Sequence, residues 1–219
     1  MPPPHPTATA FSEFVFRKTK GRNQTPFNAA IGEHQKWIGA ISEETHRQCR
    51  AVASQCLATG QPPIKKWKVL FEGQSKGVDN EALECRFLTV NGSPIRCRPD
   101  LVLQSDDDRK HKVVIIVERK VRTGVYDYPA VPDNCWENVR AQLWCYAWIS
   151  DWDWLRHENV LLVAEYYWHP YPELGEPVYM GCRGIWRRED PSFNRESMGY
   201  FRDFGGIVDP RSDMLGLDT

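Results

Sequence analysis

Apolar residues recur along the chain in two patterns that predict different kinds of element. From about residue 28 to residue 58 they return at helical spacing, which predicts a long helix that ends before Gly60. Residues 113–121 instead begin with an unbroken apolar run, which predicts a buried strand. The same criteria predict a short strand or connection at 67–71, helices at about 136–149 and 192–204, and strands at 159–168 and 177–186.

A β-hairpin is predicted before the buried strand. The β-rich segments LECRFLTV and IRCRPDLVL flank Asn91-Gly92, a dipeptide that favours the tight turn of a two-residue hairpin loop. The charged stretch 106–112 then predicts a solvated turn. We therefore expect the second hairpin arm, which contains Asp100, to lie beside the strand at 113–121.

Together these elements predict an α/β fold in which helices flank a central mixed sheet. Residues 1–27 begin with a Pro- and Thr-rich stretch over residues 1–10, from which we expect a loose tail and a partly flexible N-terminal extension. Residues 28–219 have an ordinary length for a single domain.

Composition and charge narrow the class of protein. The chain has 219 residues, 41% of them hydrophobic, which excludes global disorder. A net charge of −1 excludes nucleic-acid binding through overall basicity, although local basic patches remain. No secretory signal is visible, and the longest aliphatic run is too short to span a membrane. We expect no membrane partner and a cytoplasmic location, or a nuclear or nucleoid-associated one if the protein acts on DNA.

The cysteines and histidines do not predict a zinc site. Seven cysteines form an odd number without a C-x-x-C pair, which favours reduced and mostly buried thiols over a disulfide framework. The six histidines show no H-E-x-x-H spacing.

The chemistry is concentrated at the end of the buried strand. Side chains alternate along a strand, so Glu118 and Lys120 should face one side and Arg119 the other. Asp100 should converge with them from the adjacent hairpin arm. Two carboxylates suit Mg²⁺ or Mn²⁺, and a neighbouring lysine can hold a water or neutralise a phosphate, as metal-assisted phosphodiester hydrolysis requires. The alternative is a structural salt bridge between Glu118 and Lys120.

These residues resemble a known signature. Pro99-Asp100, seventeen residues, and then Glu118-Arg119-Lys120 are similar to the motif of the PD-(D/E)XK nuclease superfamily. Gln142 and Tyr146, four residues apart in AQLWCYAW, resemble the QxxxY motif of its RecB-like branch. The resemblance covers roughly residues 30 to 170.

The resemblance implies a restriction-endonuclease-like core with a central mixed sheet of four to five strands. Asp100 and Glu118 would bind the metal with the main-chain carbonyl of Arg119, and Lys120 would position the attacking water. Gln142 and Tyr146 would hold the substrate strand or the lysine. Alternatively, Tyr146 packs in the core and Gln142 lies at its rim.

Further roles follow from the same resemblance. Glu33 in the first predicted helix is a candidate additional metal ligand, with Glu43 or Glu44 as alternatives. Arg122 is a candidate phosphate contact. The loop at 123–133, with Tyr126 and Tyr128, would be a substrate lip or only a Pro-rich turn. An iron–sulfur cluster needs four cysteines, three of them near the C-terminus, and because only Cys182 lies beyond the second predicted helix we expect none.

The function predicted from the sequence is that of a Mg²⁺- or Mn²⁺-dependent nuclease. Its substrate class would be nucleic acid, with DNA preferred, in repair, recombination, mobile-element processing or defence. The alternative is a non-catalytic member of the same fold that binds nucleic acid or protein. The tryptophan-rich segment WCYAWISDWDW could meet a protein partner or a second copy of the chain, although core packing is the default explanation.

Overall fold

The computed structural model describes residues 6–20, 64, 66–73, 82–108, 110–123, 135–169 and 178–210, without the side chains of residues 20, 121–123, 169 and 182–185. Its helices are α1 (Ala8–Lys20), α2 (Glu137–Tyr146) and α3 (Pro191–Asp203), with a 3-10 helix at Asp153–His157. Its strands are β1 (Trp67–Glu72), β2 (Leu83–Val90), β3 (Ser93–Cys97), β4 (Leu101–Ser105), β5 (Val113–Thr123), β6 (Asn159–His169), β7 (Val178–Arg187) and β8 (Gly206–Val208).

Five strands form the larger sheet, in the order β1-β4-β5-β6-β7. Strands β5 and β6 run parallel, and the other neighbours are antiparallel, so the sheet is mixed. Strand β5 lies at its centre, and Val113 to Val117 are fully buried. Burial on both faces explains why the apolar run is continuous rather than alternating. The predicted α/β class, with helices flanking a mixed central sheet, is confirmed.

A smaller sheet contains β3, β2 and β8 in that order. The predicted hairpin is present as β2 and β3, and its turn residues Asn91 and Gly92 have positive φ angles of 50° and 76°. Positive φ at both central positions is what the tight hairpin turn needs, and Asn-Gly supplies it. Strand β8 is not predicted from the sequence.

The predicted second hairpin arm is wrong in one respect, since it consists of two strands. Strand β3 ends at Cys97 and β4 begins at Leu101, and the two belong to different sheets. Pro99 has no N–H to donate to a ladder, which is compatible with a break between strands at this position. The chain therefore passes from the smaller to the larger sheet through Arg98-Pro99-Asp100.

Helix α1 corrects the expectation of a loose tail. It begins at Ala8, and its Phe11 and Val15 are fully buried. The Phe11 ring lies 6.2 Å from the ring of Trp144 in α2 and 5.2 Å from that of Phe201 in α3. The buried side of α1 is therefore part of the core. The helices predicted near 136–149 and 192–204 correspond to α2 and α3.

The core is divided between the two faces of the larger sheet. On the helix-covered face, α1, α2 and α3 pack against residues that include Val102, Val114, Ile116 and Leu162. On the reverse face a second cluster contains Ile64, Leu101, Leu103, Val113, Ile115, Val117, Leu161 and Val163. The helix predicted at 28–58 lies outside the described residues.

Four cysteines within the described segments, Cys85, Cys97, Cys135 and Cys145, are buried and not in disulfides, as predicted for them. Burial raises the pKa of Cys85 to about 12, so this thiol remains protonated. The other three cysteines have no described side chain. Among the described helices, none has both the length and the apolar character needed to cross a membrane.

Candidate active site

Asp100 and Glu118 lie side by side at one end of the larger sheet. Strands β4 and β5 are antiparallel, and the pairing of Leu101 with Val117 brings the residue before Leu101 next to the residue after Val117. Both carboxylates are buried, with exposed fractions of 7% for Asp100 and 3% for Glu118. The structure therefore places the two acidic residues in neighbouring positions, although Asp100 lies at a junction between sheets rather than inside a hairpin arm.

Lys120 is fixed between a carboxylate and an amide. Its Nζ lies 2.5 Å from Oε1 of Glu118 and 3.0 Å from Oε1 of Gln142, and the side chain is 2% exposed. Glu118 and Lys120 thus share the helix-covered face of β5, as strand alternation predicts. The salt bridge considered as an alternative is present, but it is one contact in a larger polar group.

Gln142 and Tyr146 complete this group from helix α2. The Gln142 Nε2 group donates to the Tyr146 hydroxyl at 2.7 Å, a contact that four-residue spacing on a helix allows. The Tyr146 hydroxyl lies 3.1 Å from both Oε2 of Glu118 and the carbonyl oxygen of Arg98, and its single proton can go to either acceptor. Burial, together with the nearby Glu118, raises the pKa of Tyr146 well above its ordinary value, so the hydroxyl remains a donor.

These contacts decide between some of the roles that the sequence leaves open for Gln142 and Tyr146. Gln142 is 4% exposed and contacts Lys120, so its assignment to the rim of the core is wrong. Tyr146 is buried among core residues and also contacts Glu118. Gln142 therefore holds Lys120, and Tyr146 packs in the core while it also contacts the site.

The main chain of β5 reaches Asp100 directly. The Arg119 N–H donates to Oδ2 of Asp100 at 2.7 Å. Burial raises the pKa of Asp100, and the Arg119 N–H and the positive charge of Lys120 offset part of this rise because they favour the ionised carboxylate. The carboxylate is thus held by the peptide group between Glu118 and Arg119.

Gly73, which no sequence motif indicates, supports the Asp100 segment. Its N–H donates to the Asp100 carbonyl oxygen at 3.0 Å, and its own carbonyl accepts from Nε of Arg98 at 3.0 Å. A Cβ at this position would lie 2.4 Å from the carbonyl oxygen of Pro99. Only glycine fits here without displacing backbone, and no local sequence pattern indicates this.

A second polar group, also missed, lies on the reverse face. Arg119 Nε lies 3.1 Å from Oε2 of Glu165 on β6, and the Tyr167 hydroxyl donates to the same oxygen at 3.0 Å. Burial alone would lower the pKa of Arg119, but Glu165 and Tyr167 raise it. The one sequence signal is an acid within the largely apolar segment NVLLVAEYYW.

The donor set fits a hard divalent cation in its chemistry. Asp100 and Glu118 supply carboxylate oxygens, which Mg²⁺ binds together with retained waters rather than a complete protein cage. A cation would also offset the cost of burying two acids beside a single lysine. Within the described ranges, no group of three or more His, Cys, Asp or Glu side chains is placed to hold a metal.

The structure does not describe the side chains of the remaining candidates from the sequence. Glu33, its alternatives Glu43 and Glu44, and the loop tyrosines Tyr126 and Tyr128 lie outside the described ranges. Arg122 lies on β5, but its side chain is not described.

Comparisons with protein-family models, with curated proteins and with solved structures found no match to this chain. Any functional conclusion therefore depends on the arrangement of Asp100, Glu118, Lys120, Gln142 and Tyr146.

Proposed function

We propose that this chain is a Mg²⁺- or Mn²⁺-dependent nuclease with a restriction-endonuclease-like core that hydrolyses phosphodiester bonds of nucleic acid, with DNA the preferred substrate. The observation that carries the proposal is the Lys120 ammonium group, which is 2.5 Å from Glu118 and 3.0 Å from Gln142, on the strand whose main chain binds Asp100. This combination of two acids and a base at one strand end is the one that the PD-(D/E)XK signature describes.

Charge balance supports a cation as the partner of this group. When ionised, Asp100 and Glu118 carry two negative charges, and Lys120 supplies one positive charge. Buried ionised groups require compensation by partners or by a metal. Asp100 and Glu118 would hold the cation, which when bound would act as a Lewis acid toward a phosphate oxygen and an attacking water.

Each protein side chain then has a defined task. The Lys120 ammonium would donate to the attacking water or to the phosphate, where developing negative charge is stabilised by a preorganised donor. Gln142 accepts from Lys120 and so limits the directions in which the ammonium can point. Tyr146 donates to Glu118 or to the Arg98 carbonyl and so keeps helix α2 in contact with Glu118.

A specific observation favours the second candidate, a chain that keeps this fold for binding without cleavage. Asp100, Glu118 and Lys120 are at most 7% exposed, so a phosphate cannot reach them without rearrangement of what covers them. If that rearrangement does not take place, the polar group serves only to hold β4, β5 and α2 together.

The two candidates are separated by a cleavage assay on linear duplex, circular duplex and single-stranded DNA and on RNA, with Mg²⁺, Mn²⁺ or EDTA. A nuclease should cleave with either metal, stop in EDTA, and lose about 100-fold or more of its rate in Asp100→Asn and Lys120→Met. Glu13→Gln, an exposed change on α1, is the control and should retain activity. Cleavage in EDTA, or full activity in both site variants, would overturn the proposal. Binding of the same nucleic acids without cleavage would favour the second candidate.

A further inference from the structure

The reverse face of the larger sheet carries a buried ionic group directly behind the candidate active site. Arg119 and Glu165 face each other in register across the parallel strands β5 and β6. Arg119 Nε lies 3.1 Å from Glu165 Oε2, and the Tyr167 hydroxyl donates to that oxygen at 3.0 Å. All three side chains are at most 1% exposed. We call these residues the rear cluster.

Fold stability does not explain the rear cluster. Arg119 Nη2 and Glu165 Oε1 are buried and have no hydrogen-bond partner within the part of the chain that the structure describes. An incompletely satisfied buried ion pair is commonly no more stable than apolar side chains of similar volume. The neighbouring reverse-face residues Val117 and Val163 belong to an apolar cluster, so the rear cluster adjoins an apolar surface. A buried polar group beside an apolar cluster therefore indicates a role other than packing.

The rear cluster is connected to the front of the sheet through one residue. The side chain of Arg119 points to the reverse face, whereas its N–H donates to Oδ2 of Asp100 at 2.7 Å. Glu118 and Lys120, the residues on either side, face the helix-covered side and contact each other there. Anchoring the Arg119 guanidinium therefore fixes the peptide that orients Asp100 and the strand that carries the other two groups.

We propose that Arg119, held by Glu165 and Tyr167, is a positioning residue that sets Asp100 relative to Glu118 and Lys120 from the opposite face of the sheet. The proposal rests on the proposed function for its effect on catalysis. It also predicts that the rear cluster protects the Arg119 amide from hydrogen exchange, which can be measured without any enzymatic activity. Groups that orient metal ligands in this way typically contribute about 10- to 100-fold in metal affinity or activity.

Two variants test the rear cluster. Glu165→Gln removes the charge and keeps the shape. The triple variant Arg119→Met/Glu165→Met/Tyr167→Phe replaces the whole cluster by apolar groups of similar volume, which should leave the thermal midpoint at or above that of Glu165→Gln. Glu196→Gln is the matched control, because Glu196 pairs with Arg140 at 2.6 Å away from β5.

Three measurements follow on each folded variant. The exchange rate of the amide hydrogen at position 119 is measured by NMR relative to that of Val117, Mn²⁺ affinity by calorimetry, and kcat and KM separately. In both test variants we expect faster exchange at position 119, Mn²⁺ affinity lower by about 10-fold or more, and a fall in kcat with little change in KM. Glu196→Gln should match the unmodified protein in all three.

The triple variant distinguishes positioning from a structural role. If stability returns while Mn²⁺ affinity, kcat and protection at position 119 do not, the rear cluster positions the site. If all return together, it is only structural and the proposal is overturned. If the triple variant does not fold, Glu165→Gln decides by the same readouts. If the unmodified protein neither binds Mn²⁺ nor cleaves, the proposed function fails, and unchanged amide exchange in the variants would overturn the positioning role separately.

Discussion

Lys120 on strand β5 and Gln142 on helix α2 are joined by a buried hydrogen bond of 3.0 Å between Nζ and Oε1. This contact links the central strand to the helix that covers it, and it leaves the Gln142 amide nitrogen to donate to Tyr146. A single glutamine therefore connects the lysine, the tyrosine and, through them, the Glu118 carboxylate.

Gln142→Leu should weaken both the site and the fold. It keeps an apolar side chain of similar size but leaves the Lys120 ammonium and the Tyr146 hydroxyl each without one partner. An unsatisfied buried polar group costs about 1–3 kcal/mol, so we expect a loss of that order in the free energy of unfolding. The single-turnover cleavage rate should fall about 10- to 100-fold. Gln104→Leu, on β4, is the control. An unchanged cleavage rate in Gln142→Leu would show that Lys120 does not depend on this contact.

Gly73→Ala should displace the Asp100 segment. The added Cβ would meet the Pro99 carbonyl oxygen at 2.4 Å, a backbone atom that cannot rotate away. Overpacking of this kind costs about 1–3 kcal/mol, which denaturant unfolding measures directly. We also expect weaker Mn²⁺ binding, because relief of the clash would move the Pro99-Asp100 segment away from the Gly73 N–H.

Gly199→Ala is the control for Gly73→Ala, and we expect it to have the opposite effect on stability. Gly199 lies in α3 with no heavy atom within 4 Å of an added Cβ. Alanine there should stabilise the protein by about 0.5–1 kcal/mol, because glycine loses more backbone freedom in a helix. If both glycine variants are equally stable, the close approach at Pro99 is not rigid.

Phe11→Ala should show that α1 belongs to the core. Phe11 is fully buried against Trp144, Phe201 and Phe204. Truncation of a buried phenylalanine costs about 3–5 kcal/mol, so the midpoint of chemical unfolding should fall sharply. Arg17→Ala, on the exposed side of the same helix, should change stability by less than about 0.5 kcal/mol. A small effect of Phe11→Ala would show that α1 contributes little to the core.

Asp190 should make the stability of α3 depend on pH. It caps the helix by accepting from the N–H groups of Ser192 at 2.9 Å and Phe193 at 3.2 Å. Partial burial alone would raise its pKa, but hydrogen bonds from the Ser192 hydroxyl and from these N–H groups lower it below the ordinary value of 3.8. Because the folded pKa is the lower one, the carboxylate stabilises the fold above pH 3.8 and loses this effect as pH falls through the folded pKa.

The corresponding measurement compares Asp190→Ala and Asp190→Asn with the unmodified chain from pH 7 to pH 2. At pH 7 the alanine variant should be less stable by about 0.5–2 kcal/mol, and the difference should shrink at the acid end. The asparagine variant retains a cap without a charge, so its stability relative to Asp190→Ala should not vary with pH. A pH-independent effect of Asp190→Ala would mean that the charge of the cap contributes nothing.

Local patterns predicted those parts of the fold that depend on local physics. The unbroken run from Val113 to Val117 identifies a strand buried on both faces, and Asn91-Gly92 identifies the hairpin turn. Strand alternation then places Glu118 and Lys120 together without knowledge of the rest of the chain. The spacing of Gln142 and Tyr146 likewise follows from helix geometry.

Most of the features that local sequence patterns do not predict depend on pairing between distant segments. Arg119 meets Glu165 only because β5 and β6 run parallel in one particular register, which neither strand encodes alone. Gly73 matters because β1 ends beside Pro99. Helix α1 had a local signal that its proline-rich surroundings obscured: Thr7 Oγ1 accepts from the Ala10 N–H at 3.0 Å, and Phe11 and Val15 follow at helical spacing.

The passage of the chain from one sheet to the other at Arg98-Pro99-Asp100 has a consequence for how the two sheets depend on each other. Asp100 is bound by Val117, Arg119 and Gly73 of the larger sheet and its β1 end, while the chain just before it belongs to β3 of the smaller sheet. A ligand stabilises only the state that binds it. If the proposed cation binds at Asp100, it would therefore also stabilise the crossover by which the smaller sheet is joined to the larger one.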